Sequence, residues 1–405
     1  MALARLRQLS AHEVGHTLGL AHNFSASVNG RASVMDYPHP YIRLVNGEVD
    51  LSQAYATGIG AWDKRTILYG YQDFGANTDE NAELADVLDE NDRMGLYYLS
   101  DADARPVGSA HPTAHLWDNG QDATAEMTRL LELRAHALDN LGLDNIPGNS
   151  PVAELEKVFV PVYLMHRYQL EAVAKQIGGL HYNYAVKNGY DSPAVRPVDA
   201  DEQLAAVRSI VSTLSPENLT VPKHLRELIP PPAIGYGRDR ELFRTRNGGG
   251  FDPLAMAEAY ADQAFKFLLA PERLARVAGQ FTAVVNGEEA TDFFTLSGYL
   301  DEIEQFYTGG ETPYATLLQT QTLDRYVTHL ARAAADGRTS PAVRETLYAR
   351  IYQLLGEQDG RVAVNGRDAG GAYLEAMLLR FVRSPETFAP AEGLDLPDGS
   401  PIGCH

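Results

Sequence analysis

Residues 12 to 22 read HEVGHTLGLAH. On an α-helix, positions four apart differ by about 40° in azimuth and about 6 Å in height, so His12 and His16 project from one face and can grip one ion. Glu13 follows the first of them, where its carboxylate can reach a water on that ion without ligating the ion itself, the position of a general base. A catalytic zinc takes three protein ligands and leaves a fourth position open. A continuing helix would carry residue 22 away from the ion, so the chain must turn sharply, and Gly19, free to take positive φ, permits the turn. The spacing specifies a three-histidine site of His12, His16 and His22, with ring nitrogens expected about 2.0–2.1 Å from Zn2+.

The elements that must position these groups follow from the pattern around them. Leu3 to Leu18 reads as a helix stopped at Gly19, with Ala11, Val14 and Leu18 expected to face a core while the histidines line a cleft. Residues 25–50 read as irregular loop with a short hairpin around Asn46-Gly47, and a helix is predicted over Ser52 to Tyr69. Residues 77–119 mix an acidic helix (Asp79 to Asp89), a strand-like GLYYLS and a turn-rich HPTAHLWDNG. Beyond them helices are predicted at 122–141 and 152–177, the second kinked at Pro161, and at about 200–214, 253–268, 271–279, 289–307, 314–336, 340–356 and 370–383. HYNYAV, in the break between 178 and 197, reads as a strand.

The long signature HExxHxxGxxH, followed thirteen residues after His22 by Met35 within SVMDY, resembles the metzincin metallopeptidases and their Met-turn. The resemblance implies that Met35 forms a hydrophobic base beneath the histidines. It also implies that Tyr37 stands near the metal as an extra ligand or oxyanion stabiliser. DKRTILYG, from Asp63 to Gly70, resembles the helix that closes many metzincin domains, a structural role. HNF at 22–24, SDADARP and HPTAHLWDNG resemble a group of large bacterial zinc-dependent metalloproteases with a long helical C-terminal extension. The implied architecture is mainly α with few short strands. Residues 1–75 would be the lower, C-terminal part of a metzincin catalytic domain, 76–120 a connecting segment and 121–405 a helical C-terminal domain. The implied activity is zinc-dependent endopeptidase action on peptide or protein substrates, in an extracytoplasmic setting.

Metzincin catalytic domains place a mixed sheet before the active-site helix, yet eleven residues precede His12. The expectation is a chain that forms the C-terminal portion of a larger protease, with an N-terminal subdomain or a second copy covering the helix. A compact protease without the upper subdomain is the rival. The alternative from another functional class is a non-catalytic helical scaffold that recruits partners and carries an idle zinc motif.

Composition narrows the classes further. With 405 residues and 44% hydrophobic content the chain can bury ordinary cores, and a formal net charge of −20 argues against nucleic acid and anionic membrane as partners. No run of about 18 apolar residues offers a membrane span. The single cysteine, Cys404 beside His405, forms no intrachain disulfide. Other chemistry-bearing residues have plainer readings: His39 as an exposed loop histidine, and His166 and His181 as packing or surface residues. Pro112 between His111 and His115 argues against a second zinc pair. Trp117-Asp118-Asn119-Gly120 reads as a fixed turn with an aromatic anchor, and Tyr182, Tyr184 and Tyr190 as strand packing. The run Glu80, Glu83, Asp86, Asp89, Glu90 and Asp92 lacks the alternation and central glycine of a calcium loop and reads as a solvated helix face.

Overall fold

In the computed structural model, residues 1–185, 195–283, 295–307, 311–356, 369–390 and 392–397 are described. Tyr190, Cys404, His405 and the first part of the helix expected at 289–307 lie outside them. The fold is mainly helical, as expected. Helix α1 spans Ala2–Thr17 and ends in a paired hydrogen-bond cap: Gly19, at φ +81°, donates to His16 O at 2.9 Å and Leu20 to Gly15 O at 3.1 Å. This is the Schellman arrangement, which needs a left-handed residue where the chain leaves the helix. The core side of α1 is not the side expected. Gln8, His12 and Gly15 are buried, Ala11 and Leu18 are partly covered, and Val14 points outward, 57% exposed. The reason is that the histidine-bearing face is itself the packed face, lying on the turn at Met35.

Strands β1 (Arg43–Val45) and β2 (Glu48–Asp50) form the expected hairpin, closed by Asn46 and Gly47 at φ 54° and 82°. Both turn residues are left-handed, as a two-residue turn between right-twisted strands requires. The next helix, α2, is Ala61–Tyr71 rather than the predicted Ser52 to Tyr69. Its start is fixed by Asp63, whose carboxylate accepts from Gly60 N at 2.7 Å. The same buried carboxylate accepts from Ser33 Oγ (2.6 Å) and Val34 N (2.9 Å), so the first turn of α2 holds the turn at Met35 in place. Helices α3 (Glu80–Arg93) and α4 (Asp101–Ala104) follow, the acidic face of α3 lying largely in solvent.

GLYYLS is extended but forms no ladder. It lies against His22 to Phe24, with Phe24 N donating to Leu99 O at 2.9 Å. The buried Asn23 side chain replaces the missing strand bonds, donating to Tyr97 O at 2.9 Å and accepting from Leu99 N at 3.2 Å. Two small cores result. One gathers Leu20, Val34, Met35, Trp62 and Leu96, and the other Phe24, Tyr37, Leu99, Leu116 and Trp117. Residues 96–117 thus supply walls of both.

The larger core belongs to helices α5 (Ala123–Asp139), α6 (Leu155–Tyr163), α7 (Arg167–Gln176), α8 (Ala200–Thr213), α9 (Pro216–Leu219), α10 (Lys223–Leu228), α11 (Pro253–Leu268), α12 (Pro271–Ala283), α13 (Leu296–Ile303), α14 (Pro313–Ala335), α15 (Pro341–Leu355) and α16 (Ala369–Arg383). The helix expected at 152–177 breaks into α6 and α7. Pro161 lacks the N–H that would bond the carbonyl of Lys157, and at the break that follows Arg167 N turns to Leu164 O while Tyr163 O accepts from Arg134 Nε at 2.7 Å. The short helices α4, α9 and α10 carry too few residues for a periodic signal. Of the described residues of HYNYAV, His181 alone joins a ladder, in the two-residue pairing of β3 (Leu180–His181) with β4 (Arg196–Pro197), and Val186 lies outside the described residues. No helix among the described residues is long and apolar enough to cross a membrane.

Hydrogen bonds from α7 and α12 grip the 104–117 segment. Lys175 Nζ, fully buried, donates to the carbonyls of Ala104 and Ala114 and to His115 Nδ1. Arg276 binds the carbonyls of Gly108 at 2.8 Å and Ser109 at 3.2 Å. His111 donates from Nε2 to Tyr182 O at 3.0 Å and accepts from Thr113 at Nδ1, a pattern only the neutral ring can make. Burial first, and His181 beside it, pull its pKa down to about 4.

Three expectations follow for stability. Asp63→Ala strands three donors and is expected to cost about 3 kcal/mol or more, read from urea melts. Gly15→Ala places a Cβ 2.2 Å from the buried Met35 Sδ and is expected to cost about 1–3 kcal/mol by overpacking. His111 takes up its proton in the unfolded chain near pH 6.5 but in the folded protein only near 4. Its contribution is therefore whole above pH 6.5 and lost as the pH falls towards 4. The stability advantage of wild type over His111→Asn should shrink by about 2 kcal/mol between pH 7 and 5.

Candidate metal centre

The three sequence-marked histidines come together. Their ligand-capable nitrogens lie within 4.8 Å of one another, and they form the one such group of three or more His, Cys, Asp or Glu among the described residues. The ring centroids are 4.6 Å apart for His12 and His16, 4.9 Å for His16 and His22, and 5.3 Å for His12 and His22.

Each ring is oriented from behind. His12 Nδ1 donates to Val34 O at 2.7 Å, the carbonyl just before Met35. His16 Nδ1 donates to Leu20 O at 2.9 Å, at the end of the α1 cap. His22 Nδ1 donates to Asp101 Oδ2 at 2.9 Å, on α4. Carbonyl and carboxylate oxygens only accept, so the proton of each neutral ring sits on Nδ1 and the Nε2 lone pair is left for an electron-pair acceptor. His12 Nε2 and His16 Nε2 face one another at 3.0 Å, and His22 Nε2 is buried without a hydrogen-bond partner. Lone pairs at that separation repel unless a cation lies between them. The donor set therefore fits a tetrahedral zinc with three imidazoles and one open position. Burial first, with His16 and His22 adding to it and the Val34 carbonyl opposing, holds His12 below the ordinary histidine value.

Met35 is fully buried beneath α1, its sulfur in the space that a side chain at residue 15 would need. Glu13 is exposed on α1, one position after the buried His12. Tyr37 is buried to 3% exposure, its ring centroid 4.9 Å from that of His22 and 5.4 Å from that of His12. Trp117 stacks on the outer face of Tyr37 at 5.0 Å and 24°, and its N–H donates to Tyr37 O at 2.8 Å. It does so at φ 61°, a conformation that a bulky residue adopts only under tertiary constraint.

The remaining histidines among the described residues stay apart from this group. His115 Nε2 donates to Tyr168 O at 2.8 Å, and His166 packs against Tyr260. His39 is half-buried rather than exposed, its pKa drawn down to about 4 by burial and then by Arg129 and Arg167.

Asp101 and Arg105 of SDADARP were not marked as site residues. Asp101 lies 79 positions from the histidine it touches, and no local spacing signals such a contact. Burial alone would raise its carboxyl, but Arg105 and His22 outweigh that and hold it below the usual carboxylate range.

A family model described as Met-zincin matches residues 1–309. No curated protein and no solved structure matches. The matched span takes in α1, the turn at Met35, α4 and most of the helical body, more than half of the 405 residues, and the chain belongs to the Met-zincin family.

Proposed function

We propose that this chain carries the zinc centre of a metzincin-type endopeptidase, with His12, His16 and His22 as ligands. The observation that carries the reading is the set of three Nδ1 atoms, each bonded to an acceptor, behind three Nε2 atoms that face one another. An idle motif has no need of that second layer, since a histidine packed only for stability can use both ring nitrogens for ordinary hydrogen bonds. When bound, zinc supplies Lewis acidity for the peptide carbonyl and lowers the pKa of a coordinated water towards 7.

Glu13 is the general base. It shares the helix turn of His12, and its solvent-facing carboxylate can take a proton from an attacking water and pass it to the leaving amine. Tyr37 stands over His12 and His22, where its phenol is suited to donate to the oxyanion that forms when the carbonyl is attacked. Burial among Phe24 and Trp117 leaves the ring little freedom, so the donor is held before the charge develops. The substrate class is peptide or protein.

Metal content and cleavage of an unstructured protein test this reading together. Wild type is expected to bind one equivalent of zinc and to cleave. Glu13→Gln should keep the metal while cleavage falls by about 10²–10⁴-fold, the range for loss of a general base. His22→Ala should hold zinc far more weakly, through its two remaining imidazoles, and lose cleavage. A wild type that holds zinc but cleaves nothing would favour the scaffold alternative.

A further inference from the structure

We propose, resting on the peptidase reading above, that α4 is part of the metal site, with Asp101 as the positioning residue for the ligand His22 and Arg105 as the positioning residue for Tyr37. His12 and His16 sit on a rigid helix and lean on backbone carbonyls. His22 sits beyond the helix end, and its ring is oriented by a side-chain carboxylate instead. A carboxylate acceptor does more than a carbonyl: it fixes the ring plane and raises the basicity of the opposite nitrogen. The ligand with the least help from its own element is the one given the strongest partner.

Asp101 serves two groups at once. Oδ2 accepts from His22 at 2.9 Å, and Oδ1 accepts from Nε of Arg105, the residue that caps the end of α4. The Arg105 guanidinium carbon lies 5.6 Å from the centroid of Tyr37 and 5.7 Å from that of Phe24, and the guanidinium hydrogen-bonds the Tyr37 side chain. A guanidinium can only donate, so the phenol oxygen accepts that bond and its own hydrogen is directed elsewhere. One carboxylate thus aligns a metal ligand on one side and, through Arg105, an oxyanion donor on the other.

The placement of α4 is itself enforced from the helical body. The Ala104 carbonyl at its end is held by the buried Lys175 of α7, and Ser100 N at its start donates to Tyr184 OH at 3.1 Å. The body therefore bears on the metal site through this element.

The test uses the intact chain and two readouts, zinc affinity by competition with a chromophoric chelator and cleavage kinetics. Asp101→Ala is expected to weaken zinc binding about 10–100-fold, with Asp101→Asn, which preserves shape and acceptor, in between. The absorption spectrum of the Co2+-substituted protein should change in the same order. Arg105→Ala is expected to lower kcat with zinc affinity unchanged, Arg105→Lys to restore part of the loss, and Arg105→Ala to add nothing in a Tyr37→Phe background. If both Asp101 variants bind zinc as wild type does, or if the Arg105 and Tyr37 losses multiply independently, the inference is wrong while the peptidase reading stands. A wild type that binds no zinc overturns both.

Discussion

Three imidazoles can share one cation only if each is prevented from turning its free nitrogen towards anything else. Here that constraint is met by three oxygen acceptors, on Val34, Leu20 and Asp101, each bonded to an Nδ1. The three come from separate elements: the turn at Met35, the cap of α1 and the start of α4. Much of the surrounding structure serves to keep those oxygens where they are. Asp63 binds the backbone of Val34, and Gly15 admits the Met35 side chain beneath the helix. Gly19 takes the left-handed conformation that brings Leu20 back under His16. Asn23 ties the segment that bears His22 to the segment that leads into Asp101.

The arrangement requires groups that are costly to bury. Lys175 carries its ammonium among protein atoms, where burial first pulls its pKa down to about 8 against the opposing pull of Glu171 and Asp118. Its donors meet the carbonyls of Ala104 and Ala114 and the ring of His115, so the desolvation is offset by oriented bonds. Arg276 does the same for the turn at Gly108 and Ser109. These cations reach from the helical body to a segment that lies against the metal centre. They give that body a physical connection to the site, which its own sequence shows no motif for.

What could be read in the sequence was local. The offsets within HEVGHTLGLAH set the two histidines on one face and the glycine turn that returns the third. The Asn46-Gly47 pair announced its hairpin, and helices such as α11 and α14 followed from apolar periodicity. What could not be read was non-local. Val14 looked apolar enough for a core, but the buried side of α1 is decided by what the Met-turn covers. The start of α2 depends on Asp63 bonding a turn about thirty residues earlier, and Asp101 looks like an ordinary first-turn acid of a short helix until His22 is placed beside it. Polar side chains that bond across long separations leave no period to detect.

The central claim is that His12, His16 and His22 hold one zinc through Nε2. X-ray absorption at the zinc edge, on the intact chain loaded with one equivalent of Zn2+, tests it most directly. The expected result is four-coordinate zinc with three imidazole nitrogens at about 2.0–2.1 Å, reduced to two in His22→Ala. A shell made mainly of oxygen, or a spectrum unchanged by that substitution, would contradict it.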